Sequence, residues 1–254
     1  MDIELLEGER LDEVNEHIRL ICKTDGLTFG TDAYMLASFI RPQARARAVE
    51  LGTGTGIISL LLASRSRLSH ITAIEVQSDF ATLTQRNICL NSLEDKITVL
   101  EGDIRDIGPR ELGGEVDVVF SNPPYMRTDS GKRNDSDRKY IARHEVMGGV
   151  CDFCEAAARM LKHGGRFYCV FRPDRLSELM WSMRKYGIEP KSAVFVHADD
   201  ESEPSMVLIM GVKGGGEGMR IMPPLLLHPT PKAGGGRLMT PRAERIYETM
   251  SFYE

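Results

Sequence analysis

The chain has 254 residues, of which 42% are hydrophobic and 27% charged, and its formal net charge is −5. This length accommodates one large α/β domain, or a domain with a small appendage. The negative net charge argues against a nonspecific nucleic-acid coat protein, so any nucleic-acid binding must depend on local basic patches.

The five cysteines are odd in number, and only Cys151 and Cys154 form a CxxC pair. No second pair stands at zinc-binding spacing, which predicts reduced thiols that serve as packing residues and no metal site. The sequence shows no signal peptide and no apolar run long enough to span a bilayer. Both observations indicate a cytoplasmic protein.

Residues 1–42 are interpreted as an N-terminal arm followed by a capping helix. Residues 5–11 are polar and predict a loop, and residues 18–22 predict a short strand that turns back at Asp25-Gly26. Thr31 and Asp32 precede apolar residues at helical spacing, which predicts a capped helix from that point. This helix either covers the sheet edge or lines the mouth of a ligand site, and the sequence leaves both open.

A regular pattern begins with residues 48–51, which predict a buried strand. The strand leads into a GxGxG turn formed by Gly52, Gly54 and Gly56, and an apolar helix follows. Glycine allows a ligand to approach the backbone closely, and the helix N-terminus supplies unpaired N–H groups. A dinucleotide fingerprint would need its last glycine at Ile57, and no Gly-Lys-Ser/Thr is present, so pyrophosphate and P-loop sites are disfavoured.

Three further predicted strands each end in a polar residue. Glu75 lies 75 − 52 = 23 residues after the first glycine, where a carboxylate accepts the ribose hydroxyls of a nucleoside. Asp103 follows the strand at residues 96–100 and is placed to accept a hydrogen bond from an adenine amine. Asn122 follows the strand at residues 116–121. The carboxyl ends of the strands of an open α/β sheet are where ligands bind, so one polar group per strand predicts a site along one edge.

The last of these strands ends in Asn122, Pro123, Pro124 and Tyr125. The Asn122 carboxamide offers one acceptor and two donors, the prolines fix the backbone, and the tyrosine ring suits stacking on a planar group. Together these residues predict a clamp for a planar –NH2 group. On its own the same tetrapeptide is more typical of an ordinary turn, because Asn and Pro dominate turns, and it is the sequence upstream that favours the clamp.

ELGTGTG, Glu75, Asp103 and SNPPY together resemble the class I S-adenosylmethionine-dependent methyltransferases that modify amino groups. GLTFGTDAYMLASF and EPKSAVFVH are similar, more narrowly, to the tRNA(Val) adenine-37 N6-methyltransferase family. The resemblance implies an α/β, Rossmann-like sheet of seven strands, mostly parallel with the last strand antiparallel, and helices on both faces. It implies S-adenosylmethionine as cofactor. The implied cofactor-binding residues are Thr31, Asp32, Glu50, Gly52, Thr53, Gly54, Gly56, Glu75, Val76, Asp103, Ile104 and Asn122. The implied catalytic residues are Asn122, Pro123, Pro124 and Tyr125.

A polar, basic stretch follows the clamp at residues 126–145. Basic residues beside a reactive turn suit phosphate binding, although a solvated loop explains the same composition. The residues assigned to substrate binding are Arg127, Lys132, Arg133, Arg138, Lys139 and Arg143.

The predicted methyltransferase domain covers residues 43–213 and ends in an antiparallel hairpin of residues 193–197 and 206–212. Residues 214–254 form a glycine- and proline-rich basic extension, interpreted either as a substrate-contacting part of the domain or as a flexible end.

The expected reaction is methyl transfer from S-adenosylmethionine to the N6 amine of an adenine in RNA, with adenosine 37 of tRNA(Val) as the target. The expected partner is therefore a tRNA, with no membrane and no obligatory protein partner. One alternative is N5-methylation of a glutamine side chain in a protein, because the clamp fits that amide equally well. A second is a noncatalytic RNA-binding adaptor that retains the fold.

Overall fold

The computed structural model describes residues 4–24, 30–124, 148–229 and 238–253. The strands in these ranges are β1 Glu9–Asn15, β2 Ile18–Lys23, β3 Gln43–Leu51, β4 Leu68–Glu75, β5 Ile97–Glu101, β6 Val116–Ser121, β7 Leu161–Phe171, β8 Ile188–His197, β9 Pro204–Lys213, β10 Arg220–Ile221 and β11 Leu225–Leu226. The α-helices in these ranges are α1 Thr31–Phe39, α2 Ile57–Ser64, α3 Ser78–Leu90, α4 Val150–Met160, α5 Leu176–Lys185 and α6 Pro241–Thr249.

The central sheet has nine strands, in the order β10-β8-β9-β7-β6-β3-β4-β5, and β11 also pairs with β8. Strands β3 to β7 run parallel, and β9 is antiparallel to both β7 and β8. The predicted mostly parallel sheet with a reversed last strand is confirmed. Its seven long strands are extended by β10 and β11, two short segments that pair with the backbone of β8. They cover an edge whose N–H and C=O groups would otherwise lack strand partners.

Apolar residues alternate between the two faces of the sheet, as β6 illustrates. Val118 and Phe120 belong to one apolar cluster, which α1, α2 and α6 cover, whereas Val119 belongs to a second cluster covered by α4 and α5. Burial on both faces explains why residues 118–120 of this strand are all apolar. The predicted helices on both faces are confirmed. Among the described residues, none of the helices has the length and apolarity needed to cross a membrane.

The N-terminus differs from its prediction. Residues 9–11 belong to β1, which pairs antiparallel with β2, so the expected loop over residues 5–11 is wrong there. The hairpin turns after Asn15, whose Oδ1 accepts hydrogen bonds from the N–H groups of His17 (2.9 Å) and Ile18 (3.0 Å). The proposed turn at Asp25-Gly26 lies outside the described residues. β1 lacks a clear apolar alternation because its side chains are half-buried or exposed in a two-stranded ribbon.

Asn87 of α3 and Asn91, the residue that follows this helix, hold β2 against the domain. Asn87 Oδ1 accepts from the Ile21 N–H at 2.7 Å, and its Nδ2 donates to the Ile21 carbonyl at 3.1 Å. One helical turn later, Asn91 makes the same pair of bonds with Arg19, at 3.0 and 2.7 Å. The two side chains therefore replace a neighbouring strand, and Asn87 satisfies buried backbone groups of Ile21 that would be costly to leave without partners.

The C-terminal helix α6 was not predicted. Thr240 caps it by accepting a hydrogen bond from the Ala243 N–H at 3.2 Å, and Pro241 occupies the first turn. Tyr247 stacks on Tyr34 of α1 with ring centroids 4.6 Å apart, and the Tyr34 hydroxyl donates to the Tyr247 carbonyl at 2.6 Å. The end of the chain thus packs over α1, although a glycine- and proline-rich stretch precedes it.

Candidate active site

The strand register places the predicted site residues in one row. Leu51, the last residue of β3, pairs with Ile74 of β4 and with Ser121 of β6. Glu75 pairs with Glu101 at the end of β5. Four neighbouring strands therefore end at the same level. The residues at or just after their carboxyl ends are Gly52, Glu75, Asp103 and Asn122.

The glycine turn depends on backbone conformations that other residues rarely adopt. Gly52, Gly54 and Gly56 have φ values of 68°, 59° and 84°. A Cβ on Gly56 would lie 2.8 Å from Cγ2 of Thr84, whereas a Cβ on Gly54 would meet nothing within 4 Å. Gly54 therefore faces open space, where a ligand can approach the backbone. The Thr84 hydroxyl fixes this conformation by donating to the Gly54 carbonyl at 2.6 Å.

Glu75 lies beside this turn with only 1% of its surface exposed. Its Oε2 accepts a hydrogen bond from the Gly54 N–H at 2.9 Å, and its Oε1 accepts from the Gln77 N–H at 3.0 Å. A carboxylate offers about four lone-pair positions. Glu75 can therefore hold the turn and also accept bonds from hydroxyl groups of a ligand. Val76 follows it and is half-buried.

Glu50 and Thr53 lie inside the protein, at 1% and 5% exposure. The hydroxyls of Thr53 (2.7 Å) and Ser59 donate to Oε2 of Glu50. Burial raises the pKa of Glu50 to about 7, and the two hydroxyls partly oppose this rise. The described side-chain contacts of Glu50 are thus with the glycine turn and with α2. Glu50 therefore joins the turn to the helix that follows it.

Asp103 forms an ion pair with Arg105. Both of its carboxylate oxygens accept bonds from Nε of Arg105 at 2.9 Å, and Oδ1 also accepts from the Arg105 backbone N–H at 2.8 Å. These hydrogen bonds hold the pKa of Asp103 below its usual range. Asp103 is therefore an anion at neutral pH, and any ligand amine must share it with Arg105. The next residue, Ile104, is buried.

Asn122 is joined to the start of α1. Its Nδ2 donates to Oδ2 of Asp32 at 2.8 Å, and Oδ1 of Asp32 accepts from the Ala33 N–H at 2.9 Å. Thr31, the first residue of α1, is half-buried next to this contact in the chain. The structure therefore brings Thr31 and Asp32 from the N-terminal segment to the end of β6.

The two prolines after Asn122 continue this edge, with Pro123 buried and Pro124 half-buried. The Ser121 hydroxyl donates to the Leu51 carbonyl at 2.8 Å, so the end of β6 is bonded to the end of β3. Several predicted site residues lie outside the described residues: Tyr125, Arg127, Lys132, Arg133, Arg138, Lys139 and Arg143. Within the described ranges, no cluster of three or more His, Cys, Asp or Glu is placed to hold a metal ion.

The sequence did not identify the side chains of α3 that support the glycine turn. Besides Thr84, Asn87 donates from Nδ2 to the Thr55 carbonyl at 3.0 Å. Both residues are fully buried. The sequence indicates their role only through their spacing of three residues on a helix, because polar residues at that spacing share one face.

The chain matches the family model described as methyltransferase small domain over residues 24–180. A Phocaeicola vulgatus protein named tRNA1(Val) (adenine(37)-N6)-methyltransferase is 31% identical over 180 residues, which cover 71% of this chain and 74% of that protein. An Aeromonas salmonicida protein of the same name is 27% identical over 197 residues, which cover 76% of this chain and 79% of that protein.

Solved structures show the same fold at lower identity. A protein from Agrobacterium tumefaciens, described as a predicted O-methyltransferase, superposes with a TM-score of 0.70 and 21% identity, covering 88% of this chain and 98% of that one. The M. jannaschii protein TYW2, solved in complex with AdoMet, superposes with a TM-score of 0.55 and 14% identity, covering 83% of this chain and 87% of that one.

Proposed function

This chain belongs to the methyltransferase small domain family, and from that premise we propose that it methylates the N6 amine of adenosine 37 in tRNA(Val), with S-adenosylmethionine as donor. The proposal rests on the position of the Asn122 carboxamide. It lies in one row with the open glycine turn and with Glu75. The names of the relatives supply the nucleotide and the RNA.

The residues of the row suit a nucleoside-containing donor. Gly54 faces open space, so a ligand can lie against the backbone there. In this proposal the buried carboxylate of Glu75 accepts hydrogen bonds from the two ribose hydroxyls, and Asp103, which is bonded to Arg105, accepts one from the adenine amine. Val76 and Ile104 each follow one of these acids and would flank the base. When bound, S-adenosylmethionine supplies a methyl group on a positively charged sulfonium.

The acceptor amine needs help because its lone pair is delocalised into the adenine ring. In the proposed mechanism, Asn122 Oδ1 and the Pro123 carbonyl accept the two N–H bonds. These bonds fix the nitrogen for in-line attack and stabilise the positive charge that develops on it. Pro124 restricts the backbone of the clamp, and Tyr125 would stack on the extruded base, an interaction worth about 1–3 kcal/mol.

The tRNA is bound, in this proposal, through phosphate contacts from Arg127, Lys132, Arg133, Arg138, Lys139 and Arg143. Phosphate contacts position a nucleic acid without reading its sequence. The net charge of −5 makes such a local patch necessary. A tRNA substrate also implies action in the cytoplasm.

The direct experiment incubates the protein and S-adenosylmethionine with two tRNA(Val) transcripts, one with adenosine at position 37 and one with guanosine there. Nucleoside mass spectrometry is expected to find N6-methyladenosine in the first transcript and none in the second. Equal methylation of both transcripts would refute the assignment to position 37. Methylation of a glutamine in a protein extract, with no transfer to RNA, would favour the alternative substrate. Absence of S-adenosylmethionine binding in calorimetry would favour a noncatalytic adaptor.

A further inference from the structure

The contact between Asp32 and Asn122 determines which end of the carboxamide faces away from α1. A primary amide is planar, with a donor at one end and an acceptor at the other. A carboxylate only accepts hydrogen bonds, so the end of Asn122 that faces Asp32 at 2.8 Å must be Nδ2. The acceptor Oδ1 consequently points away from Asp32.

Asp32 is itself held in place. Its Oδ1 accepts from the Ala33 N–H at the start of α1, where a carboxylate is stabilised by the helix dipole. From Ala33 to Phe39 every residue of this helix is buried. The helix is also bonded to α6, through the hydroxyl of Tyr34 and the carbonyl of Tyr247. The carboxylate is therefore a fixed reference for the orientation of the Asn122 side chain.

The orientation of the Asn122 carboxamide matters because the group that receives the methyl is an amine, which donates hydrogen bonds. If the carboxamide were rotated by 180°, it would present its own NH2 group to the NH2 group of the substrate, and two donors cannot bond to each other. The negative charge of Asp32 also polarises the amide to which it is bonded, since hydrogen bonds in a chain strengthen one another. This polarisation makes Oδ1 a stronger acceptor as positive charge develops on the attacked nitrogen.

We propose that Asp32 is a positioning residue, which directs Oδ1 of Asn122 toward the acceptor amine and increases its negative charge. This inference rests on the proposed function. It assigns Asp32 to the acceptor side of the reaction, whereas the sequence resemblance implied a cofactor-binding role.

The test compares Asp32→Asn with the matched control Asp79→Asn. Asp79 occupies the second position of α3, as Asp32 does in α1, and its Oδ1 accepts from the Phe80 N–H at 3.0 Å. In Asp32→Asn the new amide can bond to either end of Asn122, so the orientation is no longer imposed. We expect kcat for tRNA methylation to fall about 10- to 100-fold, as for a misplaced transition-state hydrogen bond. The Kd for S-adenosylmethionine and the melting temperature should stay at wild-type values, and Asp79→Asn should retain wild-type kcat.

A second readout does not depend on activity. The side-chain NH2 signals of Asn122 in an amide NMR spectrum are identified by their loss in Asn122→Ala. They should move in Asp32→Asn and stay in place in Asp79→Asn. If the wild-type protein methylates no RNA, the proposed function fails, and the NMR comparison still decides whether Asp32 orients the carboxamide. The inference would be overturned if Asp32→Asn kept the wild-type kcat, or if it lost affinity for S-adenosylmethionine while kcat was unchanged. It would also be overturned if the NMR signals of the Asn122 side chain did not move in Asp32→Asn.

Discussion

Replacement of Glu50 by glutamine should change how the stability of the protein depends on pH. Burial raises the pKa of this carboxyl from 4.5 to about 7 in the folded protein. Between these two values the unfolded chain loses the proton that the folded protein keeps. The free energy of unfolding contributed by Glu50 therefore decreases as pH rises from about 4.5 to about 7. A pKa difference of this size corresponds to about 3 kcal/mol.

Glu50→Gln removes the ionisation and keeps the shape and one acceptor for Thr53 and Ser59. We expect the free energy of unfolding of the variant, relative to wild type, to increase by about 3 kcal/mol between pH ~4.5 and pH ~8. Urea denaturation at closely spaced pH values measures this difference. Glu94→Gln, the same substitution at an exposed glutamate, is the control for the general effect of removing one carboxylate. A constant difference between Glu50→Gln and wild type across this pH range would refute the reasoning.

Three further substitutions test the support of the glycine turn. Glu75→Gln should weaken S-adenosylmethionine binding about 10- to 100-fold in calorimetry, because charge-assisted hydrogen bonds are lost; unchanged affinity would remove Glu75 from the donor site. Thr84→Val removes the bond to the Gly54 carbonyl without a change in volume, and should weaken the same binding about 5-fold. Wild-type affinity in that variant would mean that the turn keeps its conformation unaided. Asn87→Ala leaves buried backbone groups without partners, so urea denaturation should show a loss of about 2–4 kcal/mol; a loss below about 0.5 kcal/mol would contradict this account.

The row of site residues could be predicted because it depends on local features of the chain. Each buried parallel strand is a short apolar run, and the residue at its end is directly readable from the sequence. Parallel strands place their carboxyl ends at one edge, so the sequence predicts that Glu75 and Asn122 lie along the same edge of the sheet, and the register of β4 and β6 on either side of β3 agrees with this. The reversal of the last strand followed from two apolar runs joined by a short acidic turn.

Other features depend on contacts between distant parts of the chain, so the local sequence gives little indication of them. β1 is a ribbon strand with polar residues on both sides, so its alternation is weak. The helix α6 follows a glycine- and proline-rich stretch, and its position is set by the stacking of Tyr247 on Tyr34. The bond between Asp32 and Asn122 joins residues 90 positions apart. Sequence placed both residues at the site, but the hydrogen bond between them required the tertiary structure.

The central claim is that Asn122 acts on the acceptor amine and contributes little to donor binding. The most direct measurement is single-turnover methylation of tRNA(Val) by Asn122→Ala, together with the Kd for S-adenosylmethionine of the same variant. The account predicts a loss of transfer of at least about 100-fold, as for removal of a transition-state hydrogen bond, with donor affinity close to that of wild type. Transfer by Asn122→Ala at the wild-type rate would contradict it.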